Sequence, residues 1–208
     1  MDNFPSIQSI LDDFIQHMEN NQPISASELP DIALYMDQVT TFMDNRLEHS
    51  KRYEEDKILT KTMINNYAKN HLLPPPDKKK YSKDHMLLLI FIYYFKNILS
   101  INDIQKLLTP MTNRYFKNTD GLDMSWLYSH IMDKEPLQAK RIGEDIRQIS
   151  EEASHIFPEA PKEEGEYLQL LSLVALLSCD VYMKKQLIEK LIDSFSFPEN
   201  EEASKKKR

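Results

Sequence analysis

The chain has 208 residues, a formal net charge of −7, 41% apolar and 28% charged residues, ordinary values for a soluble protein with one large domain or two small ones. Only three glycines occur, Gly121, Gly143 and Gly165. This excludes the glycine-rich phosphate loops of nucleotide-binding folds and favours a mainly α architecture. A single cysteine, Cys179, rules out an internal disulfide and fits a reducing compartment.

The N-terminal MDNFPSIQSI has no basic region ahead of an apolar core, so no signal peptide is expected. Phe4, Ile7, Ile10, Leu11, Phe14, Ile15 and Met18 then recur at helical spacing and predict a first amphipathic helix within 1–27. A second helix, from Pro30 to Leu47, is expected from the stripe Ile32, Tyr35, Met36, Val39, Phe42, Met43 and Leu47. The charged stretch 49–57 reads as an exposed loop.

Thr60 is placed to cap the next helix. At 100° per residue, Met63, Ile64, Tyr67 and Ala68 share one face, and Lys61, Thr62, Asn65, Asn66 and Lys69 share the other. Asparagine can pair with an adenine edge, and lysine and threonine suit phosphates or base edges. An ordinary solvated face would have the same pattern.

Pro74-Pro75-Pro76 ends that helix, and Lys78-Lys79-Lys80-Tyr81 forms a compact basic loop. Ser82 is expected to cap a helix from Lys83 to about Leu99 that is apolar on most of its circumference and therefore central to a core. Within it lies the longest apolar run, the ten residues from Met86 to Phe95. A membrane span needs about 20, so no membrane partner is expected. Ser100 and Asp103 open a further helix expected to end at Leu108, before Thr109-Pro110.

Beyond residue 110 the signals are weaker. Helices are expected over 122–132, 137–156 and 166–191, the last bent near Cys179-Asp180, with Cys179 buried among leucines. The polar tail 198–208 is expected to be disordered. The predicted organisation is thus a central module over 28–110 and an acidic helical region over 111–197.

Charge is divided in the same way. From Lys57 to Lys106 there are nine lysines and three acids, a balance of +6, so the remainder carries −13. A basic module inside an acidic protein is the footprint expected of local phosphate binding.

The segment from Ile58 to Leu108, with its His71-Leu72-Leu73-Pro74 turn, its basic loop closing at Tyr81-Ser82 and its Leu99-Ser100-Ile101-Asn102-Asp103-Ile104 start of a last helix, resembles the DNA-binding domain of MerR-type regulators. In that family a recognition helix leads through a GLL-P turn into a basic wing, and two helices follow. Together with Glu28-Leu29-Pro30-Asp31-Ile32, the segment is also similar to an uncharacterised bacterial domain family. The resemblance covers about residues 28–110. It implies a winged helix-turn-helix followed by an acidic C-terminal helical bundle. Asn65-Asn66 stand where the MerR family has an arginine-tyrosine pair, and lysines replace arginine in the wing.

No catalytic constellation is visible. Glu152-Ala153-Ser154-His155 is a single E-x-x-H, whereas a di-iron bundle needs two together with further glutamates. No enzyme activity, cofactor or metal is therefore expected. The favoured expectation is a cytoplasmic, homodimeric transcriptional regulator of double-stranded DNA. Thr60, Lys61, Thr62, Asn65, Asn66 and Lys69 would face the groove, and Lys78, Lys79, Lys80 and Tyr81 would lie at the backbone. The alternative is a non-catalytic helical adaptor that keeps the winged-helix fold and binds an acidic protein.

Overall fold

The computed structural model describes residues 6–195, which divide into two units: residues up to 23 with 131–187, and residues 24–130 with those from 188 onward. Both are mainly helical. The expected disordered tail, 198–208, and Phe4 of the first stripe lie outside the described residues.

In the larger unit, strand β1 (Leu34–Tyr35) runs directly into α2 (Met36–Arg46), and α3 (Lys61–Lys69) follows. After α3 come β2 (Lys80–Tyr81), α4 (Lys83–Lys96), α5 (Ile101–Tyr115) and α6 (Met124–Met132). α4 is the central element, with every residue from His85 to Tyr93 buried. A helix apolar around its whole girth can only be stable where neighbours cover every side, and each such side chain contributes about 1.5–3 kcal/mol on burial. Tyr128 of α6 closes this core, with its ring 5.4 Å from Phe91 and its hydroxyl donating to the Ile24 carbonyl at 2.7 Å.

The helix starts follow the sequence closely. Thr60 Oγ1 accepts from Met63 N–H at 3.1 Å, and Ser100 Oγ accepts from Asp103 N–H at 3.2 Å. Two other expectations need correction. The second helix begins at Met36 instead of Pro30, because Leu34 and Tyr35 pair with Tyr81 and Lys80 as an antiparallel ladder. Ile32 and Tyr35 consequently lie outside the helical stripe and are exposed. The helix opening at Ser100 does not stop at Leu108 but passes through Pro110 to Tyr115. Proline removes one backbone bond there, while Ile104 and Leu108 stay buried on one face and outweigh that loss.

α3 ends in a Schellman motif. Leu72 N–H bonds to the Tyr67 carbonyl at 2.9 Å and His71 N–H to the Ala68 carbonyl at 3.2 Å, with His71 at φ 56°. This left-handed position is the one glycine usually fills. An L-residue there costs about 1–2 kcal/mol, partly offset by the extra unfolded-state freedom of glycine. His71→Gly is expected to stabilise the protein by about 1 kcal/mol, seen as a higher urea midpoint. An unchanged or lower midpoint would show that the imidazole compensates elsewhere.

The smaller unit pairs α1 (Ile7–Asn20) with α7 (Glu135–Ser154) and includes α8 (Lys162–Ser194) as far as residue 187. Gly143 allows the α1–α7 contact: a Cβ at that position would lie 3.0 Å from Ile15 Cγ2 and 2.9 Å from Glu19 Oε1. Ile15 is fully buried. α8 runs through Cys179-Asp180 as one continuous helix, with no proline or glycine between Gly165 and its end to break it. Cys179 is exposed, not buried; the buried positions of the same helix, Ser172 and Leu173, lie about two turns nearer its start.

Candidate nucleic-acid interface

The polar face of α3 is present as a surface. Lys61, Thr62, Asn65, Asn66 and Lys69 are all exposed, while Ile64 and Tyr67 are buried behind them. Thr60 is half-buried and occupied with its cap. Lys61 is ion-paired with Asp37 in the first turn of α2.

Between α3 and α4 the chain makes a tight hairpin. Lys80 N–H donates to the Asp77 carbonyl at 2.8 Å, and the two residues between them, Lys78 and Lys79, have φ of 47° and 64°. Two consecutive positive φ values are the mark of a type I′ turn, a conformation normally supplied by Asn-Gly. Lysine at both positions is strained by about 1–2 kcal/mol each. Strain of this kind is retained where something other than stability selects the side chain.

The hairpin is anchored through its second arm. Lys80 pairs with Tyr35 in the ladder, and its ammonium lies 5.0 Å from the centre of the Tyr35 ring, a cation–π contact. Tyr35 N–H donates to Gln38 Oε1 at 2.9 Å, so the same residue starts α2 and holds the hairpin. Because α2 packs on α3 as well as on β2, the hairpin and the polar helix share one support. Tyr81 faces inward and is buried, which raises its hydroxyl pKa. It acts as an anchor and does not join the surface formed by the lysines.

Under the hairpin, Ser82 N–H donates to His85 Nδ1 at 3.0 Å. The His85 ring meets Tyr81 edge-on at 5.5 Å and Phe116 at 4.8 Å. Burial is the main cause that lowers its pKa to about 4; the Lys117 charge acts in the same direction, and the Pro74 and Pro75 carbonyls oppose both. The imidazole is therefore neutral at pH 7.

The basic charge is unevenly available. Lys83 is paired with Asp31 at 2.8 Å, and Lys106 with Asp193 at 3.1 Å. Lys96 donates to the Ile58 carbonyl at 2.9 Å, and burial lowers its pKa. Among the described residues, Lys69, Lys78, Lys79 and Lys80 form no ion pair. The sequence reading missed Tyr35 and Asp37 as neighbours of this surface. Their only signal was a strand-forming Leu-Tyr pair directly ahead of an acid at a helix start. No three His, Cys, Asp or Glu side chains among the described residues come together as a metal site.

A family model described as Domain of unknown function (DUF1836) matches residues 24–131, more than half of the chain. The chain belongs to the DUF1836 family. Its matched region coincides with the continuous part of the larger unit, 24–130, so the DUF1836 region has its own core and the polar surface lies entirely within it. That region runs past the expected boundary at residue 110 to include α6. No curated protein and no solved structure matches the chain.

Proposed function

We propose that the DUF1836 region is a MerR-like winged helix-turn-helix that binds duplex DNA, and that the chain is a cytoplasmic transcriptional regulator working as paired copies. In this reading α2 supports and α3 is the recognition helix, with Asn65 and Asn66 at base edges and Lys61, Thr62 and Lys69 beside them. The hairpin at Lys78–Lys80 is the wing and holds the phosphate backbone. The observation that carries the reading is the pair of lysines in left-handed backbone at the hairpin tip. Stability alone would favour asparagine and glycine there, whereas phosphate binding favours positive charge.

The second reading is a helical adaptor for an acidic protein. It is favoured by the pairing of Lys61 with Asp37 and Lys83 with Asp31, which answers part of the basic charge within the chain.

A salt titration of the full chain on duplex DNA separates the two. Each phosphate contact is expected to add about −0.9 to the slope of log K against log salt. Asn65→Ala, measured alongside, should cost about 1–3 kcal/mol at a selected site and little on random duplex. Folded protein that fails to bind any duplex at low salt would overturn the regulator reading in favour of the adaptor. Equal losses on both DNAs would remove Asn65 from base readout.

A further inference from the structure

We propose that α8 is a two-fold, antiparallel self-association surface, on which the exposed apolar stripe of one copy lies against the same stripe of a second copy, with Val174 near the axis. The stripe is Tyr167, Leu170, Leu171, Val174, Val181 and Tyr182, exposed by 46% to 64%. At 100° per residue these six fall within about 120° of one another. They lie wholly inside the unit formed by residues up to 23 and 131–187. The opposite side of the helix is already used, since Ser172 and Leu173 are buried. In the most apolar stretch of α8 only 11% is buried, and a helix of this composition needs cover on both sides.

Charge selects the occupant and its direction. The N-terminal end of α8 carries Glu163, Glu164 and Glu166, and the stretch after the stripe carries Lys184 and Lys185. Lys184 is bonded to Asp180 at 2.7 Å within the helix. Antiparallel pairing about Val174 places Tyr167 opposite Val181, Leu170 opposite Ser178, and Glu164 and Glu163 opposite Lys184 and Lys185. Parallel pairing would set glutamates against glutamates and lysines against lysines, which disfavours it. A lipid bilayer is a poorer occupant. α8 is long and apolar enough by length and composition to cross a membrane, but its uncharged run, Tyr167 to Cys179, is thirteen residues, short of the roughly 20 that a span requires.

The pairing does not depend on DNA binding and is tested without nucleic acid. In sedimentation equilibrium the full chain is expected to be a dimer at micromolar concentration. Val174→Glu, which brings two carboxylates together at the axis, should weaken association on the order of 100-fold. Circular dichroism is expected to show an unchanged helix content, because Val174 is exposed in a single copy. A Glu163→Lys/Glu164→Lys variant and a Lys184→Glu/Lys185→Glu variant should each associate weakly alone and strongly when mixed.

Direction is read by oxidation in a Cys179→Ser background. Leu170→Cys mixed with Ser178→Cys should cross-link, and Leu170→Cys alone should not. A folded monomer at high concentration would overturn the proposal, as would self-cross-linking of Leu170→Cys. Monomer in solution that partitions into phosphatidylcholine vesicles would replace the second copy with a membrane.

Discussion

Replacing Lys78 by asparagine and Lys79 by glycine is expected to make the protein more stable and a worse DNA binder in the same variant. Both lysines are in left-handed backbone, where an L-side chain other than asparagine costs about 1–2 kcal/mol. Asn-Gly is the sequence best suited to that turn. The gain should be about 1–2 kcal/mol after the entropy of glycine is counted, and it should appear as a raised denaturation midpoint. Two lost phosphate contacts should make the salt slope shallower by about 1.8, and should weaken binding near 0.1 M salt on the order of 50-fold. Loss of affinity without any gain in stability would mean that the tip is not strained. A gain in stability with unchanged affinity would take the hairpin out of the interface.

Acid is expected to loosen the base of the same hairpin through His85. Its folded pKa, about 4, lies below the ordinary imidazole value of 6.5, so the unfolded chain binds more protons between these values. The contribution of His85 to stability is therefore complete above pH 6.5 and is lost as pH falls from 6.5 towards 4. The loss approaches about 1.4 kcal/mol per pH unit at its steepest and totals on the order of 3 kcal/mol. Asp84, whose carboxyl pKa is raised chiefly by burial, works in the opposite direction and sets a gentler net slope. His85→Gln keeps an acceptor for Ser82 N–H at the third position of the helix but cannot titrate in this range. Denaturation midpoints for this variant should vary less between pH 6.5 and 4 than those of the parent. An identical pH profile in both proteins would assign the acid sensitivity to other groups.

The parts of the molecule that sequence made visible are those whose pattern is local. The polar face of α3 follows from a period of 3.6 and is displayed as expected, because Ile64 and Tyr67 hold the opposite face in the core. Thr60, Ser82 and Ser100 occupy the cap positions that their side chains favour. α4 is central because no face of it is polar.

What sequence hid is set by distant partners. Leu34 and Tyr35 form a strand only because Tyr81 and Lys80 lie alongside them, so the helical period of that stretch misplaced Tyr35. Pro110 failed to stop α5 because packing at Ile104 and Leu108 overrode it. The strain at Lys78 and Lys79 had no sequence cue, since lysine is not a residue that announces a type I′ turn. Cys179 is exposed although its sequence neighbours are leucines, because apolar composition along α8 does not imply burial: Leu171, Val174 and Val181 of the same helix are exposed as well.

The two-residue ladder also bears on the order in which the protein assembles. Its partners, Leu34–Tyr35 and Lys80–Tyr81, are far apart in the chain, and only two residue pairs reward the closure of the loop between them. Loop-closure entropy must be met before such distant contacts give any return, so the ladder, unlike the local Asp77–Lys80 turn, is expected to form only after α2, α3 and α4 have docked. Segments assembled in that way are the first to open in local fluctuations and exchange their amide hydrogens soonest. The lysine tip is thus expected to exchange sooner than α4, and a bound polyanion is expected to slow exchange there more than in α4, which amide exchange with and without duplex DNA would check.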